Sequence, residues 1–542
     1  MIMHTFYCTI TLLLTFTTTV ARAHEEQTTD IGYDQLFVTH NESFSQVCQD
    51  SNFPKYIKGT FIIPSLGQFE KGGVTFQGLL DGYGKLSRFS VSNGNICFAS
   101  RMMDTGFYNV SNQMDSIAPS MLFMNTIPTR NFSGIRNLQG PNDNVFVNTY
   151  ALDNHFRCVT DSQVELEFDP KTLKMNGPKM KWQDKTDHGI PLGSAHGLPE
   201  VNIDGTSTGC RINVHPQVGY LQIKHDISVL RICPNAPYTR NILATVDLPF
   251  MPYFHSWGLT SNYAVLPMMK FTVDMIKVME GQTLSEAFTP EDLKNPNTDI
   301  YVVPLDNSTG TKPIKVVLPN EHVFFTHTMN SYQVDDETLI MDIIAWGTNP
   351  FSSDAAALSL YRNKTTRDSL ALRGIPKRLT INITSGTAAT TIMKGFAKGE
   401  IMGPTNTDFT KINPHYHTRK YCIFYAVQWN SNGNPSHPEL NSYATMAIIK
   451  YNVCTGVSSF WRGPSNNFYP SEPTFVPTNK VYHPDDAEDD GTLVFTVLNG
   501  ETKMSSFLAV DAKTMTVLSN VTLPDTIGFT THGEFFEGLL VD

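Results

Sequence analysis

Short apolar or alternating runs, each closed off by Gly, Pro, Asn or Asp, recur along this chain. Clear examples are Gly59–Pro64, Lys85–Val91, Val145–Tyr150, Gly219–Ile223, Tyr421–Val427 and Ser506–Asp511. Such runs read as strands with turn signals between them. Helical periodicity is scarce, with Phe271–Glu280 and Asp354–Leu360 as the two candidates. Many short strands predict an all-β sandwich, barrel or propeller. At 542 residues a propeller is favoured, because a single sandwich or barrel rarely absorbs so long a chain. No exact repeat is visible.

Two turn forms add detail. Leu80-Asp81-Gly82-Tyr83-Gly84 leads into the alternating run Lys85–Val91 and reads as a tight turn into a strand. Phe168-Asp169-Pro170-Lys171-Thr172 and Val510-Asp511-Ala512-Lys513-Thr514 share an Asp–x–Lys–Thr turn. It suits a hairpin at the outer edge of a blade or, equally, any Asp-initiated turn.

Composition narrows the class. Aromatic residues make up 11% and are spread along the chain, which favours one large core over several linked units. The net charge of −11 comes with no basic footprint, so nucleic acid is excluded as a partner. The acidic run Asp485–Asp490 reads as a solvated loop. Met1–Ala23 has a short apolar core and ends in Ala21-Arg22-Ala23, the form of a cleaved secretory signal. An uncleaved anchor is the alternative, since the segment lacks Lys and has no Arg before its core. The expected organisation is a signal over residues 1–23 and a single domain over 24–542. Asn-X-Ser/Thr tripeptides at Asn41, Asn109, Asn131, Asn307, Asn363, Asn382 and Asn520 agree with an exported, N-glycosylated chain in the ER lumen or outside the cell. Seven cysteines remain after the signal, which predicts one or two disulfides and at least one free thiol. No CxxC is present.

The chemistry gathers on histidine. His255 lies in Met251–Pro267 among Met251, Tyr253, Phe254 and Trp257, and a buried imidazole there needs partners. Taken alone it reads as a hydrogen-bonded core histidine. Three others of the sixteen share its setting beside small or aromatic residues: His196 in GSAHGLPEVN, His327 in FFTHTMNSYQVDD and His532 in FTTHGEFFEG. The first two intervals match one propeller blade with its loops, and the third is about three times longer. Four neutral imidazoles suit Fe, Cu, Zn or Ni and do not suit Mg or Ca. Each ring would need its other nitrogen held by a carboxylate, a carbonyl or water. Glu472, in the apolar, Pro-bounded run SEPTFVP, is one such carboxylate, or else a surface residue at a turn.

In this order the segments resemble the carotenoid oxygenase family of carotenoid cleavage dioxygenases and retinal-pigment-epithelium isomerases. The resemblance runs from PKYIKGTF at Pro54 through LLDGYGKLSRF, GSAHGLPEVN, YFHSWGLTSNYAVLP, HTMNSYQVDD, INPHYHTRKYCIFYA, SEPTFVP, EDDGTLVF and SFLAVDAKTM to FTTHGEFFE, ending at Phe536. It implies a seven-bladed β-propeller capped by a hydrophobic dome of helices and loops. It places one Fe(2+) per chain on His196, His255, His327 and His532. The implied reaction is O₂-dependent cleavage of a carbon–carbon double bond in a carotenoid or apocarotenoid, giving aldehydes or ketones. A noncatalytic pigment- or lipid-binding propeller, or a polyene isomerase or ester-cleaving member, is the alternative. Three glutamates usually stand behind the ligands. Glu472 keeps one, and Asp161 and Asp408 take the other two places, which predicts backbone movement or a bridging water. The Pro-Asp-Pro-Cys segment of animal members is absent around Asn109–Met124. Phe271–Glu280 reads as an amphipathic surface helix, with peripheral membrane contact at a tunnel mouth as the alternative.

Overall fold

The computed structural model describes residues 30–541 apart from 131–141, 178, 187–188, 220–224, 251–252, 270, 291–294, 307–311, 348, 350, 371 and 432–441. The proposed signal Met1–Ala23 and the Asn131 and Asn307 tripeptides therefore lie outside the described residues. The fold is mostly β, with 45% strand and 9% helix.

Antiparallel meanders account for nearly all of it. The first sheet orders its strands Phe44–Gln49, Asn95–Met102, Tyr83–Ser92, Gly59–Gln68 and Glu534–Glu537. The strand nearest the C-terminus thus pairs with one of the earliest, Ile62 opposite Glu534. A three-stranded sheet holds Asn148–Leu152, His155–Val159 and Glu165–Glu167. Ser207–Gly219, His225–Ile232 and Asn241–Leu248 build the next, with Gly189–Pro191 and Leu198–Val201 along one edge. The largest sheet has eight strands, running from the edge strand Gly258–Leu259 to the edge strand Phe324–Gln333. It consists of two four-stranded meanders joined through one parallel pairing, Val317 with Thr387. Asn406–Ile412 opens a four-stranded sheet, and residues 468–522 form the last large one.

The strands cohere through their buried faces. All ten residues of Gly59–Gln68 are buried, as are all seven of Ile423–Trp429. Phe507 of the last sheet stacks on Phe89 of the first at 4.1 Å between ring centroids. Lys85 and Asp525 form an ion pair of 2.7 Å with both side chains almost fully buried. First and last sheets are therefore fastened by apolar, ionic and backbone contacts together.

Several local expectations change. Phe271–Glu280 is not one helix. Phe271–Val273 pairs as a strand with Phe288–Pro290, and Asp274 caps a short helix, Met275–Met279, by accepting from the Ile276 and Lys277 N–H groups. Asp354–Leu360 splits into Ser353–Ala356 and Leu358–Arg362, because Ala357 bridges to Gly78 and Leu358 N–H donates to the Gln77 carbonyl. The run Val145–Tyr150 enters its strand only at Asn148, and Gly219–Ile223 leaves the described residues after Gly219. Gly84 serves close approach more than turning: a Cβ there would lie 2.9 Å from that of Phe146.

The acidic run is not uniformly solvated. Glu488 accepts from the backbone N–H groups of Cys422 and Ile423, and Asp489 pairs with Lys450 at 2.6 Å. One of the two Asp–x–Lys–Thr turns heads an outer hairpin. Asp511 accepts from Lys513 N–H and Thr514 N–H before the edge strand Val517–Thr522. The described residues hold three disulfides and not one or two: Cys48–Cys97, Cys210–Cys233 and Cys422–Cys454. Each links two neighbouring strands of a single sheet, within them or just beyond their ends. Cys158 is a buried free thiol. Among the described residues no helix is long and apolar enough to cross a membrane.

Candidate metal centre

Each of the four histidines belongs to, or closely precedes, an edge strand of its sheet. His196 precedes Leu198–Val201, His255 precedes Gly258–Leu259, His327 lies within Phe324–Gln333, and His532 precedes Glu534–Glu537. The edges face one another, and one ring nitrogen from each histidine falls within 4.8 Å of the others. Successive Nε2 separations are 3.1 Å (His196 to His255), 3.2 Å (His255 to His327) and 3.0 Å (His327 to His532). Main-chain bonds fix the approach. Ser194 Oγ donates to the His255 carbonyl at 2.5 Å, and the Trp257 indole N–H donates to the His196 carbonyl at 3.0 Å.

Carboxylates hold three of the rings from behind. His255 Nδ1 donates to Asp161 at 2.7 Å, His327 Nδ1 to Asp408 at 2.5 Å, and His532 Nδ1 to Glu472 at 2.8 Å. The two aspartates reach their imidazoles directly, so no bridging water is needed. Asp161 also accepts from Tyr253 Oη and Ala195 N–H. Asp408 accepts from Thr326 Oγ1, which in turn accepts from the Trp346 indole N–H. Glu472 accepts from Gly533 N–H and lies 3.3 Å from Lys411 Nζ. Among the described residues His196 has no carboxylate partner.

Asp408 owes its position to a β-bulge. The pairing of Asn406–Ile412 with Ile423–Trp429 shifts register between Asp408 and Lys411, and Phe409 has a φ of 54°. An aromatic residue in the left-handed region is strained. Here it turns the Phe409 ring to 5.4 Å from the rings of both His327 and His532.

The donor set fits a metal ion. Nδ1 must carry the proton wherever a carboxylate accepts from it, so Nε2 of His255, His327 and His532 is a lone pair. Lone pairs facing each other at about 3 Å cannot hydrogen-bond, and a cation between them satisfies all at once. Electrostatics keep two of the rings, His196 and His532, neutral as ligands require. Burial, then the neighbouring imidazoles, hold His196 and His532 far below the usual histidine range. Burial pulls His255 down as well, but the Asp161 carboxylate more than offsets it and the net shift is upward. Burial raises Glu472, with Lys411 acting against it.

Above the rings lies an apolar cavity of about 260 Å³. Its walls include Leu80, Met121, Phe123, Phe351, Phe409 and Phe529, and its polar groups include His255, His327 and His532 with Asp161 and Asp408. The short helices and the loops beside them contribute Leu284, Ala356 and Tyr361. Tyr253, Thr326, Phe409 and Lys411 were not legible as site residues. Tyr253 and Phe409 were visible only as aromatics near a histidine or an aspartate.

A mostly antiparallel β protein with four convergent histidines, three of them carboxylate-backed, under an apolar cavity has a donor set that could hold a metal ion without a haem. A model of the retinal pigment epithelial membrane protein family matches residues 38–537, and the chain belongs to that family, the carotenoid oxygenases. It is similar to the carotenoid isomerooxygenase of Galleria mellonella, 22% identical over 89% of this chain and 91% of that one. It is also similar to the carotenoid dioxygenase of Neurospora crassa, 25% identical over 94% and 79%. A cobalt-substituted apocarotenoid oxygenase from Synechocystis superposes with a TM-score of 0.74 at 17% identity, covering 93% of this chain and 98% of that one.

Proposed function

We propose that this protein is an iron(II) dioxygenase that cleaves a carbon–carbon double bond of a carotenoid or apocarotenoid with O₂. The observation that carries the reading is four convergent imidazole nitrogens, three of them carboxylate-backed, at the floor of an apolar cavity. The names of the relatives support the substrate class and the oxygen chemistry. In this reading His196, His255, His327 and His532 hold the iron, and the eight-stranded sheet counts as two blades, making seven around the site. Asp161, Asp408 and Glu472 orient the ligand rings.

Iron, when bound, supplies the electron transfer that activates O₂ toward a polyene. The chain supplies the rest. The carboxylates fix each Nδ1–H, so Nε2 points inward and stays basic. Phe123, Phe351, Phe409 and Phe529 hold an apolar chain against the site and keep water from it. In the net reaction the double bond breaks and each of its carbons becomes a carbonyl.

We also place the protein in the secretory pathway. Three disulfides fit an oxidising compartment, and the side chains of Asn41, Asn109, Asn363 and Asn520 are exposed.

The test is to express the chain through a secretory route, measure its metal, and incubate it with a carotenoid panel with and without air. One iron per chain and O₂-dependent aldehydes support the reading. Pigment retained without products refutes catalysis and favours a binding protein. A His255→Ala variant that still holds one iron per chain refutes the ligand assignment.

A further inference from the structure

Two cavities meet at the four imidazoles. The apolar one borders His255, His327 and His532. A second, of about 690 Å³, borders His196, His327 and His532 and is walled largely by polar side chains and charged groups. His196 thus faces the polar cavity alone, and His255 the apolar cavity alone. Two hydroxyls in the polar wall, Ser331 Oγ and Thr410 Oγ1, are buried without a protein hydrogen-bond partner. Buried hydroxyls so placed are satisfied by water.

We propose that the polar cavity is the passage through which the metal ion reaches and leaves the four histidines, with His196 as the ligand that opens toward it and Lys411 as a charged gate at its inner end. The proposal rests on the metal-site reading above. A divalent cation travels hydrated, and an apolar wall offers nothing in exchange for the water it must shed. The polar wall does, with its hydroxyls, amides and the carboxylates Asp204, Glu472 and Glu534 set among the basic groups Arg211, Arg419 and Lys480.

The ligands are unequal in a way that matches. Carboxylates clamp His255, His327 and His532, so each of those rings gives up a short hydrogen bond in order to swing. His196 has its main chain held at both ends: its N–H donates to Ser194 Oγ at 3.0 Å and its carbonyl accepts from Trp257. Its ring carries no such clamp, and it is the least buried of the four. Breaking a metal bond therefore costs least at His196, on the side facing the polar cavity.

Lys411 lines that cavity beside the cluster. Its ammonium lies 3.3 Å from Glu472 Oε2 and donates to the Gly533 carbonyl at 3.3 Å, beside His532. Like charge opposes a passing cation in either direction. The gate slows loading and release together.

Cobalt(II), visible by its absorbance when bound, is the probe for the metal-free full-length protein. Its uptake and its transfer to a chelator are timed by stopped flow. Thr410→Phe narrows the polar passage and is expected to slow both rates at least tenfold while leaving the final stoichiometry unchanged. Thr410→Leu stands in if the larger side chain does not fold. Lys411→Gln keeps a hydrogen-bonding group, removes the charge, and is expected to quicken both rates several-fold. Leu284→Phe narrows the apolar cavity and is expected to change neither. Cobalt bound at one per chain, with either Thr410 variant at the unsubstituted rates or with Leu284→Phe slowing exchange, overturns the passage alone. No cobalt bound at all overturns the metal site and the passage together.

Discussion

The Asp408 carboxylate accepts the Nδ1 proton of His327 at 2.5 Å, from a strand bulged at the very next residue. The acid, the strained Phe409 and Lys411 thus come from one four-residue stretch and serve three surroundings. Asp408 backs a ring, Phe409 walls the apolar cavity, and Lys411 borders the polar one.

Removing the acceptor should loosen the ring. Asp408→Ala is expected to lower metal affinity or turnover by roughly 10–100-fold, the usual range for groups that orient ligands. Asp161→Ala should fall in the same range, while Tyr253→Phe, which removes one donor to Asp161 and leaves His255 its acceptor, should cost less. Titration with cobalt(II) measures each. Equal losses for Tyr253→Phe and Asp161→Ala would contradict the ranking.

His215 should make the fold acid-sensitive. It is almost fully buried, its Nδ1 has no partner, and burial lowers its pKa from 6.5 to about 3, with Arg240 adding to the effect. Between those values the unfolded chain binds the proton and the folded chain does not. Stability then falls as pH drops from about 6.5 toward 3, by up to about 1.4 kcal/mol per pH unit from this group. Urea melts from pH 7 to pH 4 should show His215→Gln losing less stability than the unsubstituted protein over that range.

Lys85→Met should leave Asp525 charged and buried, with Ser100 Oγ as its remaining side-chain donor. Breaking one side of a buried pair costs about 3–5 kcal/mol. Thermal unfolding measures it. The double variant Lys85→Met with Asp525→Leu is expected to recover part of the loss, because no uncompensated charge remains.

Opening Cys210–Cys233 by a double serine substitution should cost about 2–4 kcal/mol. Peptide mapping without reductant should recover all three pairs and a free Cys158.

The four histidines share a setting beside small or aromatic residues, but it was the family resemblance that singled them out of sixteen. The mostly β character was legible from the spacing of turn residues. What stayed hidden depends on register. Cys48 faces Cys97 only once Phe44–Gln49 has paired with Asn95–Met102. Lys411 reaches Glu472 only because a bulge re-aims its strand. The helix over Phe271–Glu280 failed because Asp274 is a better cap than an interior residue, and because Phe271–Val273 finds a strand partner in Phe288–Pro290.

The closing strand Glu534–Glu537 has a consequence for how the molecule comes into being. It lies beside Gly59–Gln68, so that strand waits, while everything between the two is made, for the partner that completes its sheet. His532 stands two residues before that late strand and is the last of the four histidines in chain order. A nascent chain halted anywhere before it carries at most three of the four imidazoles and an open first sheet. Tight retention of a metal ion would then distinguish finished molecules from unfinished ones, a mark of completion that a cell could read before release.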